Sequence, residues 1–414
     1  MKSLRLIILA LLIGTSGFLS YKIYQQEKFN QEQQADLIEL SDIKYGLFNV
    51  DEWKTIFADI ISKKMDDFNI QNTDETELKK EITDFLVKAI DGFEKRYNEE
   101  NKSSGISGFL KRSISSFAGI FEQVRKDIPI YTDEIYNFLM GGGSKEMLQE
   151  YLTKQLDSYT KDTFLATDYT VMNNIIAKYE AKDKLDGVQV IKTKIEETNS
   201  NKDLYQYSLL AIFIVFLILL IFLKHKSNLE FLLFILYSLL LLFLGVFLPM
   251  IAIDARISEL NFPFLGETIQ FKDQVLFFKS KSIMEVVELM ASQSRWDLLF
   301  VAGLVLLFSV LFPLSKLISS VFYIFSKKMK NNKFIKLLVF KTGKWSMADV
   351  FVIAIFMAYL GFDGLITEQL KQLGALTEST AILTTNNSGL LFGFYAFTGF
   401  VLFSLFISQK VKKT

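Results

Sequence analysis

The residues of this chain best able to do chemistry are a carboxylate and an amine, each set inside an apolar run. The stretch Gly343-Lys344-Trp345-Ser346-Met347-Ala348-Asp349-Val350-Phe351-Val352 opens a long apolar segment with Asp349 just inside it. One apolar block upstream, Leu311-Phe312-Pro313-Leu314-Ser315-Lys316-Leu317 places a lysine within another. A charge at membrane depth is costly, so it faces a protein interior or a water cavity and marks a pathway. Ser309, Pro313, Lys316 and Ser320 recur at i, i+4, i+7 and i+11. That spacing puts a kink-prone proline, an amine and two hydroxyls on one helical face. Lys316 and Asp349 lie on the same lysine-rich side of their segments, and they meet if the two helices are neighbours. Such a pair suits proton relay or coupling to a gate. The plainer reading is a lysine snorkelling to lipid phosphates and an aspartate capping its helix. Thr398, in the last apolar stretch, is the third candidate, a hydrogen-bond partner for the polar centre. Gly389, Gly393, Ala396 and Gly399 of that stretch are small residues that let helices pack closely in lipid.

These side chains need a membrane-embedded scaffold, and the composition supplies one. Half of the 414 residues are hydrophobic, and 46 Lys and Arg balance 46 Asp and Glu. A balanced charge gives no argument for nucleic-acid binding. The halves differ: residues 22 to 203 are rich in Lys, Glu, Asp and Asn, and the remainder is a series of apolar blocks. Each block approaches the roughly 20 residues that a helix needs to cross a bilayer core of about 30 Å. Cysteine is absent, which excludes disulfides and thiolate chemistry. The single histidine, His225, stands between Lys224 and Lys226 at a membrane edge, and a zinc site has no second His or Cys to assemble from. No metal and no cofactor are expected. No Ser/His, His-Glu-x-x-His or paired-aspartate arrangement supplies the groups of an intramembrane enzyme, so a non-enzymatic protein is expected.

Six apolar stretches stand out, at about Leu4–Tyr21, Tyr205–Leu223, Leu229–Ile253, Leu298–Phe325, Trp345–Gly361 and Gly389–Ser408. The first has a signal-like layout, with Lys2 and Arg5 before an apolar core. It lacks a clean Ala-x-Ala site and runs on through Phe18, Leu19 and Tyr21, which favours an uncleaved signal anchor over a cleaved peptide. Lysines gather between the second and third stretches, between the fourth and fifth, and after the last. The positive-inside rule then places both termini in the cytoplasm and residues 25–203 outside. The expected fold is an all-α membrane protein with six transmembrane helices. It comprises an N-terminal anchor (1–24), a helical extracytoplasmic domain (25–203) and a five-span half (204–414). A short outward β element is expected around Thr268-Ile269-Gln270-Phe271-Lys272.

The polar insert reads as helical. Ile82, Phe85, Leu86, Ala89, Ile90 and Phe93 form one apolar stripe, and Asp74 with Glu77 resembles a capping start. Trp53, Phe57, Ile60 and Ile61 form a second stripe, and further helices are expected at about 105–126, 144–159 and 169–197. Gly141-Gly142-Gly143 reads as a loop or hinge. The acids Asp66, Asp67, Asp74, Glu75 and Glu77 read as a solvated face.

Taken together, Phe312-Pro313-Leu314-Ser315-Lys316-Leu317 in one span and Gly343-Lys344-Trp345-Ser346-Met347-Ala348-Asp349-Val350-Phe351 opening the next resemble the paraquat-inducible protein A family. The resemblance covers about Tyr205 to Gln409, including a loop of the family's kind after the second span of that half. It implies a bacterial inner-membrane protein that handles phospholipid or other lipid. It also implies a periplasmic partner of the mammalian-cell-entry type, which forms a tunnel between the two membranes. By the same resemblance Lys316, Asp349 and Thr398 fall on intramembrane polar residues. The family's best-known members have two such modules and cysteine zinc ribbons, whereas this chain has one module and no cysteine. A second functional reading needs no lipid: a membrane-anchored scaffold or sensor that binds an envelope partner through residues 25–203.

Overall fold

A computed structural model describes residues 2–42, 45, 59, 74–100, 125–141, 147, 150, 153–154, 168–222, 227–264, 267–293, 295–340, 348–375 and 381–412. These residues are mostly helical, with one small antiparallel sheet. Helix α1 runs unbroken over Lys2–Leu40. Helices α2 (Glu75–Glu100), α3 (Ile128–Met140) and α4 (Thr170–Lys178) follow, and α5 spans Lys184–Phe222. Then come α6 (Asn228–Phe247), strands β1 (Ile251–Phe264) and β2 (Glu267–Lys281), α7 (Ile283–Ser292) and α8 (Trp296–Leu306). A π-helical turn, Leu307–Leu311, joins α8 to α9 (Phe312–Phe325). The remaining elements are α10 (Lys327–Lys330), α11 (Lys333–Phe340), α12 (Ala348–Ala375), β3 (Ala381–Asn386), β4 (Gly389–Leu390) and α13 (Phe392–Lys412).

Five candidate membrane spans occur among the described residues: Ser3–Leu40, Lys184–Phe222, Asn228–Phe247, Trp296–Phe325 and Phe392–Val411. The fifth expected stretch, Trp345–Gly361, overlaps α12, but residues 341–347 and many α12 side chains lie outside the described ones. The helix ends converge at one face of the bundle. Arg5 Nε lies 3.4 Å from Glu230 Oε1. Lys410 Nζ donates to the Ile221 carbonyl at 2.7 Å, and Asn228 Nδ2 donates to the Ile324 carbonyl. The start of α1, the ends of α5, α9 and α13, and the start of α6 therefore lie together, as alternating crossings require. Glu230 closes a capping box with Ser227, which satisfies two of the helix's orphan amides. The main core is aromatic. Phe216 stacks on Tyr237 with centroids 4.1 Å apart, and Phe403 meets Tyr237 edge-on at 5.5 Å.

Two helices run through the boundaries expected at 24/25 and 203/204. Beyond the apolar windows, α1 and α5 continue as an antiparallel pair held by polar contacts. Lys202 pairs with Glu27 at 2.9 Å, and Asn30 Nδ2 donates to Asn199 Oδ1 at 3.2 Å. Thr198 Oγ1 donates to Gln33 Oε1. At the far tip, Lys178 of α4 bridges Glu32 and Asp36, each at 2.6 Å. From Tyr24 to Leu40 the extension adds about 24 Å at 1.5 Å per residue. The second candidate stripe, at Trp53 to Ile61, lies outside the described residues apart from Asp59, as do most of 105–126 and 144–159. The first stripe is a helix face: Leu78, Ile82, Leu86 and Ile90 bury against Ile128, Tyr131 and Ile135 of α3. Asp74, Glu75 and Glu77 are solvent-exposed. Gly141 ends α3.

The sheet is larger than expected. β1 and β2 pair over their whole length, β3 pairs with the other edge of β1, and β4 pairs Gly389 with Ala252. Gly389 thus belongs to the sheet and not to the last helix, which starts at Phe392. The hairpin lies against the extension, where the Val275 amide donates to the Ser41 carbonyl and Lys192 pairs with Asp273 at 2.7 Å. A bulge at Ala255/Arg256 accompanies the Arg256–Asp254 pair at 2.7 Å.

Candidate functional site

Lys316 is 5% exposed, deep within the bundle. Its neighbours on the same face are also buried: Ser309, Pro313, Ser319 and Ser320. The face forms because proline breaks the helix in a controlled way. Pro313 has no N–H to give to Ser309, and its ring would crowd that carbonyl. The Leu307–Leu311 turn widens to the π register, and the Phe312 amide bonds the Leu307 carbonyl. The expected kink is therefore a π bulge, a common device where helices carry functional side chains. Ser320 Oγ donates to the Lys316 carbonyl at 2.7 Å, satisfying its own hydroxyl within the helix.

Across from α9, the amine faces α13. Lys316 Nζ donates to Ser404 Oγ and to the Ser404 carbonyl, both at 3.5 Å. These are long bonds at the limit of useful geometry. Ser404 Oγ itself donates to the Val401 carbonyl at 3.0 Å, and Ser408 Oγ donates to the Ser404 carbonyl at 2.9 Å. Among the described residues no carboxylate comes within ion-pair distance of Lys316. An ammonium carries three N–H donors, so the site holds more donor capacity than the acceptors among the described residues answer.

Other buried hydroxyls sit unanswered on the π turn, α13 and α6. Ser309 Oγ, Thr398 Oγ1, Tyr237 OH and Ser238 Oγ have no hydrogen-bond partner among the described residues. α6, which carries Tyr237 and Ser238, packs on α9, on the π turn and on α13. Unpaired buried polar groups are uncommon, and each calls for a role or a bound molecule.

Each sequence candidate has a place. Ser309, Pro313, Lys316 and Ser320 share the buried face of the kinked span. Thr398 is half-buried on α13, six residues before Ser404. That separation is about 9 Å along the helix and about 120° around it, so Ser404, not Thr398, meets the lysine. Asp349 belongs to the first turn of α12, and its side chain lies outside the described residues, as does His225. α12 touches the π turn and α13, and its Val352 and Ile355 pack into the main core. Ser404 and Ser408, and the pair Tyr237-Ser238, were not singled out as site residues. Their signal was available: hydroxyls at i, i+4 on α13 and two polar residues inside the apolar run of α6. Among the described residues no group of three or more His, Asp or Glu gathers to hold a metal.

A buried amine facing a serine hydroxyl can hold an anion or accept and release a proton. Residues 229–385 match the model of a protein family described as Paraquat-inducible protein A. The matched segment starts at α6 and ends in β3. No curated protein and no solved structure matches the chain.

Proposed function

For a chain whose residues 229–385 place it in the Paraquat-inducible protein A family, we propose a non-enzymatic role in moving lipid across a bacterial envelope. It acts in the inner membrane with six spans, α12 being the fifth, both termini in the cytoplasm and residues 25–203 outside. It hands lipid to or from a mammalian-cell-entry-type partner at the outer face. The observation that supports this reading is Lys316, an amine 5% exposed at membrane depth. An intramembrane ionisable group of this kind is expensive and is kept for function. Lys316 and Asp349 form the polar centre, coupling protonation to movement of α9 against α13.

Asp349→Asn and Lys316→Met variants test this. Both remove one charge while nearly preserving shape. Lipid-dependent growth or lipid transfer between membranes should fall to background, with membrane abundance near that of the wild type. Activity retained at normal abundance would remove the polar centre from the mechanism. Extraction of the tagged protein in native lipid particles, followed by mass spectrometry of proteins and lipids together, tests the partner. A mammalian-cell-entry-type protein with bound phospholipid is the expected result.

The long α1–α5 extension favours a second reading, a scaffold or sensor that docks an envelope partner. Recovery of some other envelope protein through residues 25–203, with no tunnel partner, would decide for it.

A further inference from the structure

At its lysine-rich end the chain builds a surface that the polar centre does not use. After α9 it turns into two short helices, α10 and α11. α11 folds back on α9: Ile335 and Val339 are buried, and Phe340 meets Tyr323 edge-on with centroids 5.3 Å apart. Its outer side carries Phe334, 65% exposed, and Leu337 beside Lys333 and Lys336. Lys328 and Lys330 of α10 are exposed as well, and Lys330 lies over the Tyr323 ring at 5.7 Å. No acidic residue occurs between Asp297 and Asp349. Exposed apolar groups next to lysines on one short helix mark a segment lying in the plane of a membrane interface.

The span above this surface adds the second element. Leu311, Ile318, Phe322 and Phe325 are exposed and recur at i, i+7, i+11 and i+14, a single stripe on the lipid side of the kinked span. That stripe runs down to α10. An acyl chain lying along it brings a headgroup to the lysines.

We propose that α10, α11 and the outer stripe of α9 form a binding strip for anionic phospholipid, with lysines on the headgroup and the apolar stripe along the chains. A polybasic segment at the membrane surface is drawn to anionic lipid, and salt screens the attraction. The inference stands apart from the transport reading, since a scaffold would use the same strip as an anchor.

The test is reconstitution of the full chain in nanodiscs of equal phosphatidylglycerol and phosphatidylethanolamine, then counting retained lipids by native mass spectrometry. The wild type should retain phosphatidylglycerol in several-fold excess over the bulk ratio, and the excess should shrink in high salt. A variant with Lys328, Lys330, Lys333 and Lys336 changed to Gln should fall to the bulk ratio. The same four positions changed to Arg should keep the excess, which controls for folding. Equal enrichment in wild type and Gln variant, or an excess indifferent to salt, would overturn the proposal. Phosphatidylglycerol enrichment by a wild type that transfers no lipid would count against the transport reading alone.

Discussion

Lys316 is held by geometry more than by bonds. Two contacts at 3.5 Å to a single serine are poor compensation for a desolvated amine, and an uncompensated buried charge costs several kcal/mol. Substitution by Met should therefore leave stability unchanged or raise it, while transport is lost. Thermal unfolding in nanodiscs beside a transport assay checks both halves, and a large fall in stability would mark Lys316 as a structural residue. Ser404→Ala should cost only about 1 kcal/mol, the net value of one modest hydrogen bond. Its effect on transport should be larger than so small a loss implies, because the amine then keeps a carbonyl alone on α13. An unchanged transport rate in Ser404→Ala would remove that serine from the site.

At the scale of elements, close helix approach carries the bundle. A Cβ on Gly393 would lie 2.4 Å from the Leu248 carbonyl oxygen, and one on Gly245 would lie 2.6 Å from the Phe397 backbone. Both obstacles are main chain, so the helices must separate. Gly393→Ala should destabilise by about 1–3 kcal/mol, the usual cost of overpacking, read as a lower midpoint of unfolding. A midpoint within a degree of the wild type would show that α6 and α13 can move apart freely. The sequence announced this contact only in part. Gly393 stood out among small residues in its stretch, whereas Gly245 was one glycine in a leucine-rich run. Hydrophobic length showed where the helices are, and the apolar stripe from Ile82 to Ile90 gave the α2 face that buries against α3. The serine caps were also readable, since Ser227 and Ser282 each precede a glutamate by three residues. Other features depend on contacts distant in sequence. The β1–β2 hairpin exceeds its short alternating signal because β3 pairs with β1 from more than a hundred residues away. The π turn is the scaffold's answer to Pro313, and the proline predicted a disturbance without its form. The tip of the extension is a further long-range product. Burial and then the Asp36 carboxylate push the Tyr179 hydroxyl up to about 12. The folded form thus holds its proton more tightly than the unfolded chain, whose tyrosine titrates near 10. The stabilisation is complete below pH 10 and is lost as pH rises from 10 to 12. The difference between ultraviolet titrations of the wild type and Tyr179→Phe should be a tyrosine phase lying above the usual value near 10.

For the whole molecule, the question is whether the outward part and the membrane part are separable. Leu40 and Lys184 lie in helices that continue from the bilayer, so cutting at residues 25 and 203 would sever α1 and α5 and expose their apolar flanks. The extension itself supplies a better place. Tyr45 OH donates to Glu39 at 3.0 Å and to the Asp168 carbonyl at 3.3 Å. The Tyr45 ring stacks on Tyr169 with centroids 5.9 Å apart. The chain therefore leaves the extension and returns to it at neighbouring points. About six Gly and Ser residues, reaching roughly 20 Å when extended, can close the gap left by removing 47–166. Lys178 with Glu32 and Asp36, Lys202 with Glu27, and the sheet contacts at Ser41 and Asp273 all survive that excision. A short linker between adjacent ends is tolerated where the contacts of the remaining backbone are kept, so the shortened protein should insert normally and unfold within a few degrees of the parent. Lipid transport should persist at a reduced rate if the polar centre is the working part and the outward segment serves only to dock a partner. Complete loss of lipid-dependent activity, in a protein that still unfolds at the parent temperature, would transfer the function to residues 47–166 and favour the scaffold. The membrane half would then be an anchor, and Lys316→Met in the full-length chain should have no effect on activity. Together the excision and the point substitution separate the two readings, because each predicts one loss and one retention, in opposite places.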